Sequence, residues 1–315
     1  MSDNDSTDKG VAGTLRLVSD SDEKEMPSEN RSIEEHLDNA QFLIEILPYI
    51  QRWRGKIVVI KYGGNAMADD SVSMRFAEDI VLMQQVGILP VVVHGGGPQI
   101  GALMEKLGKK SEFRDGLRVT DAETLDIARM VLVGKVNRDI VGAINVHGPH
   151  AVGVSGEDGG LITAAARNPE LGFVGDVSSI NPTLLVKLLS EGLIPVMSTI
   201  GADATGQAYN INADTVAGAV AEALQAEKIV YLTDVAGLYE DFDDDKSLIR
   251  RATISELQEK IDSGLLSGGM IPKIEACVRA VENGVSSAHL LDGRVPHVSL
   301  LELFTDLGIG TMIVP

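Results

Sequence analysis

The chain has 315 residues, with 27 Lys and Arg against 46 Asp and Glu, a formal net charge of −19 at pH 7. That charge and an aromatic content of 4% argue against a nucleic-acid binder, which needs basic stripes or stacking platforms. A single cysteine, Cys277, excludes a disulfide framework and a Cys-rich zinc site. With 44% apolar residues, and room for about two domains at ~150 residues each, the chain can bury a core.

The elements follow in chain order. Residues 1–32 carry eight acids and four bases and almost no hydrophobic periodicity, so they are expected to form a disordered acidic tail. Ser32 reads as a helix N-cap. Leu37, Ala40, Leu43, Ile44, Leu47, Ile50 and Trp53 then recur at helical spacing, so a helix is expected over 33–54, kinked at Pro48. So apolar a helix needs cover, from its own domain or from a partner subunit. β-branched runs then alternate with helical patterns. Strands are expected at 56–62, 89–94, 151–154, 194–198, 228–233, 288–291 and 311–314. Helices are expected at 70–86, 98–107, 122–146, 183–191, 213–225, 254–264, 273–283 and 299–306. This alternation predicts an α/β fold, a three-layer sandwich around a mostly parallel central sheet. The longest stretch free of charged residues, Ile80–Met104, contains Gln84, Gln85, two Pro and three consecutive Gly, so it is no membrane span. With no apolar signal core at the N-terminus, a cytoplasmic protein without a membrane segment is expected.

Five segments carry candidate chemistry. In the first, Lys61 closes a buried strand ahead of Gly63 and Gly64, whose backbone N–H groups can approach an anion. A lysine snorkelling at a strand end would read the same way. The second is His94-Gly95-Gly96-Gly97-Pro98, a glycine turn into a helix N-terminus, which is an anion site. It lacks the GxGxxG spacing and no GxxxxGK[ST] loop exists, so both familiar phosphate-loop families are disfavoured. His94 reads more simply as a hydrogen-bonding post than as a ligand. The third holds Arg118, a fork suited to a carboxylate or an ordinary surface arginine. The fourth holds Asn210, Asn212 and Asp214, where Asp214 could be a helix cap or a counter-ion for lysines. The fifth joins Thr233-Asp234…Leu238 with Gly268-Gly269-Met270…Lys273. A lysine in a first helical turn opposes the helix dipole unless an anion sits beside it. Cys277 shares an apolar helical face with Ile274, Val278 and Val281, and the acidic run Glu240–Asp245 reads as a solvated loop without EF-hand spacing.

From Arg54 to Pro315 the segments IKYGGNAM, VVVHGGGPQI, FRDGLRVTD, NINADT, LTDVAGLY and GGMIPK stand in the order and spacing of the amino-acid kinase family. Within it they resemble the N-acetylglutamate kinases. The resemblance implies transfer of the ATP γ-phosphoryl group to the γ-carboxylate of N-acetyl-L-glutamate, on the way to arginine. It implies Lys61 and Lys273 on the transferring group, with Asp214 holding both. Gly64, Gly96, Gly97, Arg118 and Asn210 would face the substrate. Gly63, Thr233, Asp234, Leu238, Gly269 and Met270 would lie near the nucleotide. Mg²⁺ would ride on the ATP phosphates, with no metal ligands from the protein. The domains would be 55–222 for acetylglutamate and 223–315 for the nucleotide. The helix over 33–54 resembles the extension of arginine-inhibited members, in which such helices join dimers into a hexamer, a trimer of dimers. His289, Glu302 and Gly308 resemble those members' arginine site, and a nitrogen-signalling protein is a possible further partner. Rival readings are a kinase of N-acetyl-aminoadipate or another acceptor, a non-catalytic arginine sensor, and a Rossmann oxidoreductase.

Overall fold

Runs of Val and Ile without polar interruption form strands that are covered on both faces. In the computed structural model, β1 (Ile57–Tyr62), β2 (Leu89–His94), β3 (Ala151–Ser155), β4 (Ile194–Ser198), β5 (Lys228–Thr233), β6 (Arg251–Thr253), β7 (Ser287–Asp292) and β8 (Thr311–Val314) make one eight-stranded sheet. Its order is β6-β8-β7-β5-β1-β2-β4-β3, and every neighbouring pair is parallel except β7 and β8. The structure describes residues 33–67, 70–114, 116–241, 244–263 and 271–315. The expected acidic tail, the Ser32 cap and the glycine turn at 264–270 lie outside them.

The helices are α1 (Ile33–Trp53), α2 (Asp70–Gln85), α3 (Gly97–Lys106), α4 (Ala122–Arg129), α5 (Asn137–Asn145), α6 (Thr183–Ser190), α7 (Ala213–Ala223), α8 (Ile254–Asp262), α9 (Ile271–Glu282) and α10 (Val298–Phe304). Side chains of a strand alternate between faces, and two cores follow from that. Val58, Ile60 and Tyr62 pack with Phe76, Ile80 and Met83 of α2, Leu125 and Ile127 of α4, and Leu303 of α10. Val59 points the other way, to Val216 and Val220 of α7 and Ile274 and Cys277 of α9. Two helical layers thus enclose the sheet, as the alternating pattern predicts.

Two features depart from the expectation. The region 122–146, read as one helix, is α4, then a π-helical stretch at Met130–Val136, then α5. Four short strands, Ile162–Ala166, Val174–Ile180, Ile200–Ala202 and Ala208–Ile211, close on one another in a small separate sheet. Their backbone groups pair mutually, and the last of them delivers Asn210. The eight-stranded sheet takes strands from both sides of residue 222, and Ile46–Pro315 is one compact unit.

Residues 33–45 fall in a separate unit. Leu37, Phe42, Leu43 and Ile44 of α1 are all more than 60% exposed. The last turns of α1 are anchored within Ile46–Pro315. Trp53 is buried and its indole N–H donates to the Leu303 carbonyl at 2.8 Å, while the Tyr49 hydroxyl donates to Asp306 Oδ2 at 2.8 Å. No described helix is long and apolar enough to cross a membrane.

Candidate active site

Parallel strands release their chains at one edge, and the turns after them form the site in such sheets. Lys61 is the penultimate residue of β1, between β5 and β2, registered with Tyr231 on one side and Val93 on the other. Gly64 follows with φ +69°, a left-handed conformation that a side chain would strain. His94 ends β2, and Gly95 donates its N–H to the Tyr62 carbonyl at 3.0 Å, which ties the two turns together. Gly96 is needed for packing, because a Cβ there would meet Leu132 Cδ2 at 2.7 Å. Gly97 opens α3, with Pro98 in its first turn, as expected.

Asp214 reaches the same edge from α7. Asn212 caps that helix, its Oδ1 accepting the N–H groups of Asp214 at 2.8 Å and Thr215 at 3.2 Å. The Asp214 carboxylate is buried and bridges two ammonium groups, Lys61 Nζ to Oδ1 at 2.9 Å and Lys273 Nζ to Oδ2 at 3.0 Å. Burial works to raise its pKa; Lys61 and Lys273 outweigh that and hold the carboxyl below its ordinary value. Lys273 stands in the first turn of α9 and does pair with an anion there, the Asp214 carboxylate.

Lys61, Gly64, Gly96, Gly97, Arg118, Asn210, Asp214 and Lys273 line one cavity of about 410 Å³. Arg118 is held in its wall. Its Nη2 donates to the Gly97 carbonyl at 2.9 Å, its Nη1 to Ser111, and its guanidinium lies 4.8 Å from the centre of the Phe113 ring. A larger cavity of about 860 Å³ also contacts Asp214 and Lys273, and extends along Thr215, Gly218 and Ala276. The lysine–aspartate centre therefore lies where two cavities meet. Gly63 sits against this centre, a Cβ there falling 3.4 Å from Lys61 Nζ.

Other expected residues lie elsewhere or outside the described residues. Thr233, Asp234 and Leu238 line neither cavity. Leu238 is a core residue at 2% exposure whose N–H donates to Thr311 Oγ1 at 2.8 Å, and the Thr233 hydroxyl donates to the Val235 carbonyl at 2.9 Å. Gly269 and Met270 are outside the described residues.

The sequence profile of the amino acid kinase family matches residues 56–292. The chain belongs to the amino acid kinase family. Among its relatives, the acetylglutamate kinase of Saccharopolyspora erythraea is 54% identical over 88% of this chain and 93% of its own. That of Carboxydothermus hydrogenoformans is 50% identical over 90% of this chain and 100% of its own. The N-acetylglutamate synthase of Neisseria gonorrhoeae, solved with coenzyme A and N-acetyl-glutamate, superposes with a TM-score of 0.77 at 28% identity and covers 88% of this chain; this chain spans 63% of that one. Carbamate kinase of Giardia lamblia bound to AMP-PNP shares the fold, with a TM-score of 0.62 at 18% identity, covering 82% of this chain and 98% of that one.

Within this amino acid kinase, a second polar cluster is buried between β5, β7 and α10. Glu302 Oε1 accepts from Lys228 Nζ at 3.0 Å and lies 2.8 Å from His289 Nδ1. Burial lowers the pKa of both Lys228 and His289, with Glu302 opposing. On Glu302 burial pushes upward, but His289 and Lys228 prevail and lower it. His289 Nε2 is buried with no partner among the described residues. His289 and Glu302 are thus brought together as expected. Gly308 stands apart in this respect, its carbonyl accepting from Arg250 Nη1 at 2.6 Å. Lys228 is missing from the sequence reading. It opens a strand, where a lysine ordinarily points to solvent, and only the fold carries it under Trp53, 4.8 Å from that ring.

Proposed function

We infer that this chain transfers the γ-phosphoryl group of ATP to the γ-carboxylate of N-acetyl-L-glutamate. A carboxylate oxygen attacks the γ-phosphorus, the bond from that phosphorus to the bridging oxygen breaks, and N-acetyl-L-glutamyl 5-phosphate and ADP leave. The observation that carries this reading is the Asp214 carboxylate held between Lys61 and Lys273 where the two cavities meet. The names of the half-identical relatives support it. A carboxylate nucleophile is already ionised, so no general base is needed; the difficulty is bringing two anions together in line. Two ammonium groups and the glycine N–H donors offset the charge that spreads over the transferring group. Arg118 and Asn210 would hold the acceptor's other carboxylate and amide in the smaller cavity, and the larger one would take the nucleotide. Asp214 is the only acidic residue lining the smaller cavity among the described residues, and both its oxygens are engaged by lysines. Mg²⁺ would arrive with the substrate as MgATP, held mainly by the nucleotide phosphates. A cytoplasmic setting supplies that substrate.

Trapping the acyl phosphate with hydroxylamine tests the reading. N-Acetyl-L-glutamate should give hydroxamate and ADP in equal amounts. If N-acetyl-aminoadipate, aspartate or carbamate supports faster ADP release, the acceptor is wrong; no turnover with any of them leaves a non-catalytic protein.

A second site has its own support. The orphaned His289 Nε2 is an acceptor, since Nδ1 donates to Glu302, and Glu302 Oε2 has no hydrogen bond among the described residues. A guanidinium supplies N–H donors to both. L-Arginine would bind here as a feedback inhibitor. The exposed Leu37, Phe42, Leu43 and Ile44 of α1 would join dimers into a hexamer.

A further inference from the structure

Three consecutive glycines have no intrinsic preference that would aim a peptide N–H at one point. The Gly95–Gly97 turn is nevertheless fixed from behind. His94 is fully buried, with Nδ1 2.9 Å from the Gly95 carbonyl and Nε2 3.1 Å from Asn137 Nδ2. The same Asn137 nitrogen lies 2.8 Å from the Val196 carbonyl, and the Arg138 guanidinium donates to Asn137 Oδ1. An amide nitrogen beside a carbonyl must donate, so Asn137 is oriented, and its second N–H points at His94 Nε2. That makes Nε2 the acceptor and places the ring proton on Nδ1, where it donates to Gly95.

Peptide planarity carries this outward. The Gly95–Gly96 bond is trans, so the Gly96 N–H points opposite to the Gly95 carbonyl. The carbonyl faces His94; the N–H therefore faces the side on which Gly96 lines the cavity with Lys61. Neither Gly96 nor Gly97 donates its N–H to a backbone carbonyl among the described residues. Leu132 and Val136 of the π-helical stretch stand behind Gly96, and Asn137 is the first residue after that stretch. A π-helical insertion in a helix commonly marks a functional site.

We propose that His94, oriented by Asn137, is a positioning residue that clamps the Gly95–Gly96 peptide and aims the Gly96 N–H at the transferring phosphoryl group. The proposal rests on the phosphotransfer reading above. Burial, with Arg138 adding and the Gly95 bond opposing, brings the imidazole to a pKa of about 4. The ring is thus a neutral fixed donor at neutral pH and takes no proton in the reaction.

The test uses the full chain with His94→Asn and His94→Gln. An asparagine amide can reproduce a donor at the Nδ1 position; a glutamine amide reaches the Nε2 position and leaves the Gly95 carbonyl unclamped. H94N should keep kcat within about fivefold of the unmutated chain. H94Q should lose at least ~30-fold in kcat, with KM for both substrates within about threefold, because a mis-aimed oxyanion donor acts in the transition state. Nitrogen-15 spectra of the unmutated chain at pH 7 should show His94 as the neutral Nδ1–H form. Unchanged kcat in H94Q overturns the proposal. So does an H94N variant as slow as H94Q, or an Nε2–H ring, and the spectrum decides even if a variant does not fold. An unmutated chain that forms no hydroxamate overturns the kinase reading instead, while the tautomer still reports on the clamp.

Discussion

Asp214 is a carboxylate that touches two ammonium groups and holds each in a single place. Removing one lysine costs more than its own charge, because the remaining pair is then free to collapse. Lys61→Ala and Lys273→Ala are each expected to lower kcat by at least ~10²-fold, the scale for losing one preorganised electrostatic group. Steady-state rates on variants with unaltered circular dichroism check this, and near-normal turnover would remove both lysines from the chemistry. A second residue-scale expectation concerns the buried cluster. Glu302→Gln removes the charge that a guanidinium would meet while keeping its shape. It should weaken arginine inhibition at least tenfold and leave kcat without arginine unchanged, since Glu302 lines neither cavity. Dose–response curves with and without the substitution measure it; an unshifted curve places arginine elsewhere.

At the scale of elements, α1 has two parts with different surroundings. Its last turns bury Trp53 and bond Tyr49 to Asp306, whereas its earlier apolar residues are exposed. A truncation should therefore end at Glu45, which keeps those anchors. Deleting Met1–Glu45 is expected to convert the proposed hexamer to a dimer, and to weaken the arginine response only as far as that response depends on assembly, because the Trp53–Lys228 contact of the second cluster is kept. Light scattering of both proteins decides it, and a truncated hexamer would dismiss the helix as the joint. The elements that the sequence made legible are those whose residues alone dictate them. β1, β2, β4 and β5 are strands because each is built on an apolar run, and Lys273 was legible because a lysine in a first helical turn opposes the helix dipole, whereas Asp214 read equally well as a cap. The small closed sheet was not legible. Ile162–Ala166 and Val174–Ile180 are rich in Ala, Ser and Gly, so those strands owe their existence to one another rather than to propensity. The π-helical stretch was hidden for a similar reason, since MVLVGKV has ordinary helical spacing and only its packing behind Gly96 sets it apart. Asn137 shared that fate, an unremarkable polar residue in the sequence that the fold places 3.1 Å from His94.

The whole molecule carries −19, yet handles two anions. Two segments, residues 1–32 at net −4 and the run at 240–245 with five acids, hold nearly half of that charge. The long-range field slows encounter with anionic substrates, while the smaller cavity is lined by Lys61, Lys273 and Arg118 against one acid among the described residues. Net charge is thus a poor guide to the local chemistry, and the same holds for the response to acid. His94 is one buried group through which pH acts on the fold. Its pKa is about 4 in the folded chain against 6.5 as a free side chain. Between those values the unfolded chain binds a proton that the folded chain refuses, so stability falls as pH falls. From pH 7.5 to pH 5 this group alone should remove about 2 kcal/mol. His94→Asn cannot titrate, so its loss of stability over that interval should be smaller by about that amount. Urea melts of both proteins at pH 7.5, 6 and 5 measure the difference directly. Parallel losses would mean that the ring is already protonated in the folded chain, which would break the Asn137 hydrogen bond and release the tautomer that fixes the glycine turn.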